Sequence, residues 1–142
     1  MEIKELLKGV DCTCGKHHSC DIDFIAIERG AIGHLTGLCA NDKCILLVCD
    51  ENTYAAAGAQ TETALAGLNV KKVTFPGNVV LIPNEDAVAK VTENLDGVDK
   101  IIGIGSGVIQ DLCKYVSHRA ASPTMWSLPL LPWTATPPPA LP

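Results

Sequence analysis

The chain has 142 residues, 47% of them apolar and 19% charged, with a formal net charge of −5 and an isoelectric point near 5.2. That length suits one domain with a single core rather than two, and the acidic balance leaves no basic stripe for a phosphate backbone, which sets nucleic acid aside as a partner. The longest apolar runs are too short to span a bilayer, and the start MEIKELLKGVD lacks the basic-then-apolar order of a signal peptide, so a cytoplasmic protein with no membrane partner is expected.

In chain order, MEIKELLKG carries Ile3, Leu6 and Leu7 at helical spacing. The segment DCTCGKHHSCD then gathers Cys12, Cys14, His17, His18 and Cys20 into nine residues. Thiolate and imidazole are preferred zinc ligands, but the C-x-C-x₂-H-H spacing lacks the C-x₂-C turn and no second ligand pair follows, so an ordinary polar loop is favoured. DIDFIAIERG has apolar residues on both period-two faces from Ile22 to Ile27 and reads as a strand covered on both sides, closed by a turn at Gly30. A short helix over GAIGHLTGLCAND ends near Asn41.

CILLVC, from Cys44 to Cys49, is a continuous apolar run ending in Asp50, the pattern of a buried parallel strand. An alanine-rich helix follows over ENTYAAAGAQTETALAGLN, with Asn52 or Thr53 as N-cap and Gly67 near its end. KKVTF and VVLIP are expected to be short strands flanking the turn at Pro76 and Gly77, the second covering Val79 to Ile82. NEDAVAKVTENLDG is a helix with Val88, Val91 and Leu95 on one face and Gly97 at its end. Lys100 to Ile104 is another buried strand, and GVIQDLCKYVSHR a helix with Val108, Ile109, Leu112 and Val116 on its apolar side. Strand and helix alternating in this way predict an α/β, Rossmann-like parallel sheet with helices on both faces.

Seven cysteines are present, and Cys39, Cys44, Cys49 and Cys113 sit in apolar or helical settings where a free thiol behaves as a small hydrophobe; no structural disulfide is expected. From Ala120 the rhythm stops. Prolines at 123, 129, 132, 137, 138, 139 and 142 oppose helix and central strand alike, and no period gathers Trp126, Trp133, Leu128, Leu130 and Leu131 onto one face. The tail is therefore expected to be disordered and to pack against nothing specific.

The stretch IIGIGSGVIQD places Gly103, Gly105, Ser106 and Gly107 between a buried strand and a helix. Glycines admit close backbone approach and a helix N-terminus attracts an anion, so this is a candidate phosphate cradle; a tight turn that needs glycine is the plainer alternative. It is neither a G-x-G-x-x-G fingerprint after the first strand nor a Walker A loop. Asp50, at the carboxyl end of its strand, suits a ribose diol or a helix N-cap equally well. His34 and His118 lie on helices as surface or capping residues, and Lys114 is a solvated helix-face lysine within possible reach of a phosphate.

GIGSGVIQDLCKYVSHR, together with DENTY and the opening DCTCGKHHSCDI, closely resembles the bacterial sn-glycerol-1-phosphate dehydrogenases, a branch of the iron-containing alcohol dehydrogenase and dehydroquinate synthase superfamily. The resemblance covers Met1 to Arg119, about the N-terminal third of such an enzyme. It implies a two-domain oxidoreductase that uses NADH or NADPH to reduce dihydroxyacetone phosphate to glycerol 1-phosphate for glycerophospholipid synthesis, and it leaves a homo-oligomer open. It implies that Gly103, Gly105, Ser106 and Gly107 hold the pyrophosphate, that Asp50 and Asn52 face the adenosine, and that Asp111 lies near the nicotinamide end. It further implies a divalent metal (Zn, Ni or Fe) held by one aspartate and two histidines, all beyond Arg119, so that residues 1–119 form an incomplete NAD(P)-binding domain without catalytic or metal residues.

Relatives continue after KYVSHR with a Gly-Ile-Pro strand and an ATAPSMDGYAS-like segment bearing the first metal-binding aspartate. Here ASPTMWSLPLLPWTATPPPALP stands instead. With one G placed before it and synonymous codons chosen, the same bases read one position over give GIPYNVVVATAPLDGYASTGAA. The tail is thus expected to be out-of-frame coding sequence, and the chain an inactive fragment. The alternative is a stand-alone nucleotide-binding or regulatory fragment with a partner-binding proline-rich tail, but TPPPALP lacks the flanking basic residues of such ligands.

Overall fold

The computed structural model describes residues 5, 7–19, 22–105 and 107–120, and residues 124–129 by their backbone. The helix expected over residues 1–9 lies largely outside the described residues. Two compact units divide the chain, residues 1–31 and 32–142.

In the first unit, β1 (Val10–Asp11) and β2 (His17–His18) form an antiparallel hairpin with Val10 opposite His18 and Asp11 opposite His17. Residues 22–27, expected as a strand, form none: Ile22 is 48% and Ile27 79% exposed, and no ladder partner occurs among the described residues. Alternating apolar residues show which faces a strand could bury, but not whether a neighbour exists to take its N–H and C=O groups.

The second unit is an open parallel sheet between two helical layers. A 3₁₀ turn (Ala31–His34) leads into α1 (Leu35–Leu38). Next come β3 (Cys44–Asp50), then α2 (Glu51–Thr53), a π turn (Tyr54–Gly58) and α3 (Ala59–Ala64) in unbroken succession. β4 (Asn69–Phe75), α4 (Glu85–Thr92), β5 (Lys100–Gly105), α5 (Gly107–Ala120) and β6 (Thr124–Pro129) complete it. The strand order is β4-β3-β5-β6, all parallel. β3, at the centre, is apolar and buried from Cys44 to Cys49 because helices cover both its faces. Leu46, Val48, Ile101, Leu112, Val116 and Val91 pack on one side of the sheet with α4 and α5, while Ile45, Leu47, Ile102, Ile104, Leu35 and Leu65 pack on the other.

VVLIP is not a strand. Val80 is 88% exposed, and the strand in that region is β4, which contains KKVTF. β4 pairs with all seven residues of β3, from Cys44↔Asn69 to Asp50↔Phe75. Just beyond it the chain is held over the strand ends: Gly77 N donates to Glu51 Oε2 (2.9 Å) and Asn52 Nδ2 donates to Gly77 O (2.7 Å).

The tail also departs from expectation. The backbone of Thr124–Pro129 runs beside β5, from Lys100↔Thr124 to Gly105↔Pro129. Among the described residues β6 is an edge strand, where a proline removes no ladder bond the sheet depends on. The expectation that nothing in the tail packs is therefore corrected for these six positions; residues 130–142 lie outside the described residues.

At the amino ends of the strands, the Asp99 carboxylate accepts from Lys43 N (2.7 Å) and Cys44 N (2.9 Å), tying the start of β5 to that of β3. Lys100 Nζ lies 2.6 Å from Asp42 Oδ2 and donates to Leu38 O (3.0 Å), fastening α1 to the same end.

Candidate nucleotide site

After β3 the chain passes to β4 on one side and then crosses to β5 on the other, so the carboxyl ends of β3 and β5 flank the point where strand order reverses. Open α/β sheets take ligands in the crevice outside that point. The last paired positions are Cys49 and Ile104, which puts Asp50 and Gly105 next to each other in register at its mouth.

The glycines divide into two roles. A Cβ on Gly103 would lie 3.0 Å from Cys113 Sγ, and one on Gly105 only 2.8 Å from Ile109 Cβ, so both let α5 lie close against β5. Gly107, at the start of α5, has nothing within 4 Å of a Cβ; its open face with the unpaired N–H groups of the first helical turn suits an anion. Ser106 lies outside the described residues.

Gln110 went unnoticed in the sequence. Its Nε2 donates to Gly103 O (3.2 Å) and Gly105 O (3.1 Å), bracing the strand end from the first turns of α5. Its Oε1 is buried and finds no partner among the described residues. A glutamine is equally at home on any solvated helix face, so only the strand-to-helix geometry reveals the role.

Asp50 is a helix cap. Its Oδ1 accepts from Thr53 N (2.8 Å) while Thr53 Oγ1 accepts from Asp50 N (3.0 Å), a reciprocal capping box. The N-cap is therefore Asp50 and not Asn52 or Thr53, because β3 runs into the helix without a loop. Asn52 is engaged with Gly77 at the same end of the sheet. Asp111 is exposed on α5 and lines a cleft of about 830 Å³ between α4 and α5, together with Ile82, Asn84, Val88, Tyr115 and Arg119. Lys114 is exposed two turns into α5, ~10 Å along the axis from its start. His34 and His118 are exposed, His118 in the last turn of α5 where a cation suits the dipole.

Burial pushes Cys113 up to about 12 and also raises Cys39 and Cys49 above the ordinary thiol value.

Sheet order, glycine turn and capped acid define an open α/β parallel sheet, with the candidate site at the switch point. The sequence profile of the iron-containing alcohol dehydrogenases matches residues 26–129, and the chain belongs to that family. It is 27% identical over 129 residues to the glycerol-1-phosphate dehydrogenase [NAD(P)+] of Geobacillus stearothermophilus, covering 85% of this chain and 32% of that protein. With the enzyme of the same name from Halalkalibacterium halodurans it shares 28% identity, covering 80% of this chain and 30% of that one. The chain thus spans about a third of the length of these curated relatives. The fold matches an iron-containing alcohol dehydrogenase from Thermococcus thioreducens with a TM-score of 0.60 at 13% identity, over 72% of this chain and 34% of that one. The family name implies iron, but the described residues do not fit such a centre: the one group of three close donors among them is Cys12, Cys14 and His18, in the other unit. No helix among the described residues is long and apolar enough to cross a membrane.

Proposed function

We propose that the chain is the nucleotide-binding portion of an NAD(P)-dependent glycerol-1-phosphate dehydrogenase, whose complete form reduces dihydroxyacetone phosphate in glycerophospholipid synthesis. The observation that carries this reading is the open face of Gly107 at the start of α5, the helix that follows β5 where Gly105 lies in register beside Asp50 at the switch point. The pyrophosphate sits on the first turn of α5, Gly103 and Gly105 let that helix approach, and Asp50 and Asn52 border the adenosine side. Asp50 Oδ1 serves the cap, which leaves Oδ2 for a ribose hydroxyl and favours NAD over its 2′-phosphorylated form. Asp111 belongs toward the nicotinamide end.

The chain as it stands is proposed to bind NAD(H) weakly and to turn over no dihydroxyacetone phosphate, because the groups that fix the nicotinamide and the substrate lie beyond residue 119. Calorimetric titration of the full chain with NADH and NADPH tests it. Gly107→Val, which fills the open face, should abolish heat of binding. Asp50→Asn, which keeps the capping acceptor but removes the charge, should leave stability near wild type and erase the preference for NADH. Binding indifferent to both changes, or NADH oxidation with dihydroxyacetone phosphate, refutes the assignment.

A further inference from the structure

In the first unit, the hairpin turn brings three soft donors together. Asp11 closes β1, His17 opens β2, and the intervening turn is fixed by Cys12 N donating to Lys16 O (3.0 Å) and Gly15 N donating to Cys12 O (2.9 Å), with Gly15 at φ 81°. Cys12 Sγ, Cys14 Sγ and a ring nitrogen of His18 all lie within 4.8 Å of one another, and Cys14 Sγ is 3.1 Å from His18 Nε2. Tetrahedral zinc, with Zn–S near 2.3 Å and Zn–N near 2.0–2.1 Å, needs donor-to-donor edges of about 3.5–3.8 Å.

The two histidines are already sorted. His17 Nδ1 is bonded to Asp11 Oδ1 (2.8 Å), and its ring fills the space beside Gly9, where any Cβ would collide with it. His17 is thereby turned to the hairpin itself, and His18 is left facing the two thiols. Two thiolates and an imidazole select zinc and exclude calcium and magnesium, which take oxygen donors.

A second observation points the same way. None of the described residues between 5 and 31 is buried, and Val10, Ile22 and Ile27 are 49%, 48% and 79% exposed. A unit this small without a core needs a staple of another kind, and a metal is one. We propose that Cys12, Cys14 and His18 bind one zinc ion, and that this ion fixes the hairpin of residues 10–18. The proposal is independent of the nucleotide reading.

The experiment uses the full 142-residue chain, reduced and stripped of metal, titrated with Co²⁺ and then with Zn²⁺ as competitor. One Co²⁺ per chain should bind, with thiolate-to-cobalt charge-transfer bands and tetrahedral d–d bands that Zn²⁺ abolishes. Cys12→Ser and Cys14→Ser should each weaken binding about 100-fold or more and His18→Ala about 10–100-fold, while His17→Ala should keep the charge-transfer bands. Circular dichroism of each variant confirms that the sheet unit is intact. Absence of the bands in the folded wild type overturns the proposal. So does binding that survives loss of both thiols, or that depends on His17 and not on His18.

Discussion

Gly105 carries more weight in packing than in flexibility. A methyl group there would sit 2.8 Å from both Ile109 Cβ and Cγ1, atoms on the buried face of α5 that cannot move without lifting the helix. Gly105→Ala should therefore destabilise the chain by ~1–3 kcal/mol in urea unfolding, the range for overpacked cores. Gly107→Ala, with open space around the new methyl, should be neutral or slightly stabilising. Equal effects of the two substitutions would contradict the division of roles. Asp99 gives a pH signature. The N–H groups of Cys44 and then Lys43 hold its carboxyl below the usual aspartate value, so its contribution is complete above that value and is lost as pH falls through the lowered one. Thermal melts of the wild type should weaken over that acidic window, and Asp99→Asn should flatten the dependence there; an unchanged slope in the variant would count against the tie.

Among the elements, capping decides more than propensity. β3 enters the helix at Asp50 with no loop between, and the Asp50–Thr53 box supplies two bonds to backbone groups that would otherwise lack partners. Asp50→Ala should cost about 1 kcal/mol of stability, with Asp50→Asn retaining most of it. The central strands β3 and β5 were legible because the stretch of a strand that is buried on both faces must be apolar, and CILLVC and IIGIG meet that condition. α4 was legible for the same kind of reason: acids in its first turn, Val91 inward, and Gly97 at φ 67° past its end. Residues 22–27 and 79–82 misled because apolar alternation is necessary for a strand but a partner is what makes one. At the site, the glycines and Asp50 declared their place in the sequence by their position after apolar runs. Gln110 did not, since its two bonds depend on how far α5 leans toward β5.

For the molecule as a whole, the open question is the strand beside β5. Residues 124–129 occupy that slot as TMWSLP, and bases that permit these codons also permit, one position over, YNVVVA, within the longer reading GIPYNVVVATAPLDGYASTGAA. The β-branched valines of that reading are favoured on a pleated, half-buried surface, whereas a sequence ending in proline is confined to an edge. We propose that the native gene encodes the valine strand and that the proline-rich residues follow from a one-base displacement after the Ala120 codon. Sequencing the gene across that codon should show the extra base, and a product expressed in the restored frame to its full length should fold more stably than the 142-residue chain. It should also oxidise NADH with dihydroxyacetone phosphate only when a divalent metal is supplied. A gene that reads through Pro142 as given, or a full-length restored product that is folded yet inactive with metal, would overturn the displacement.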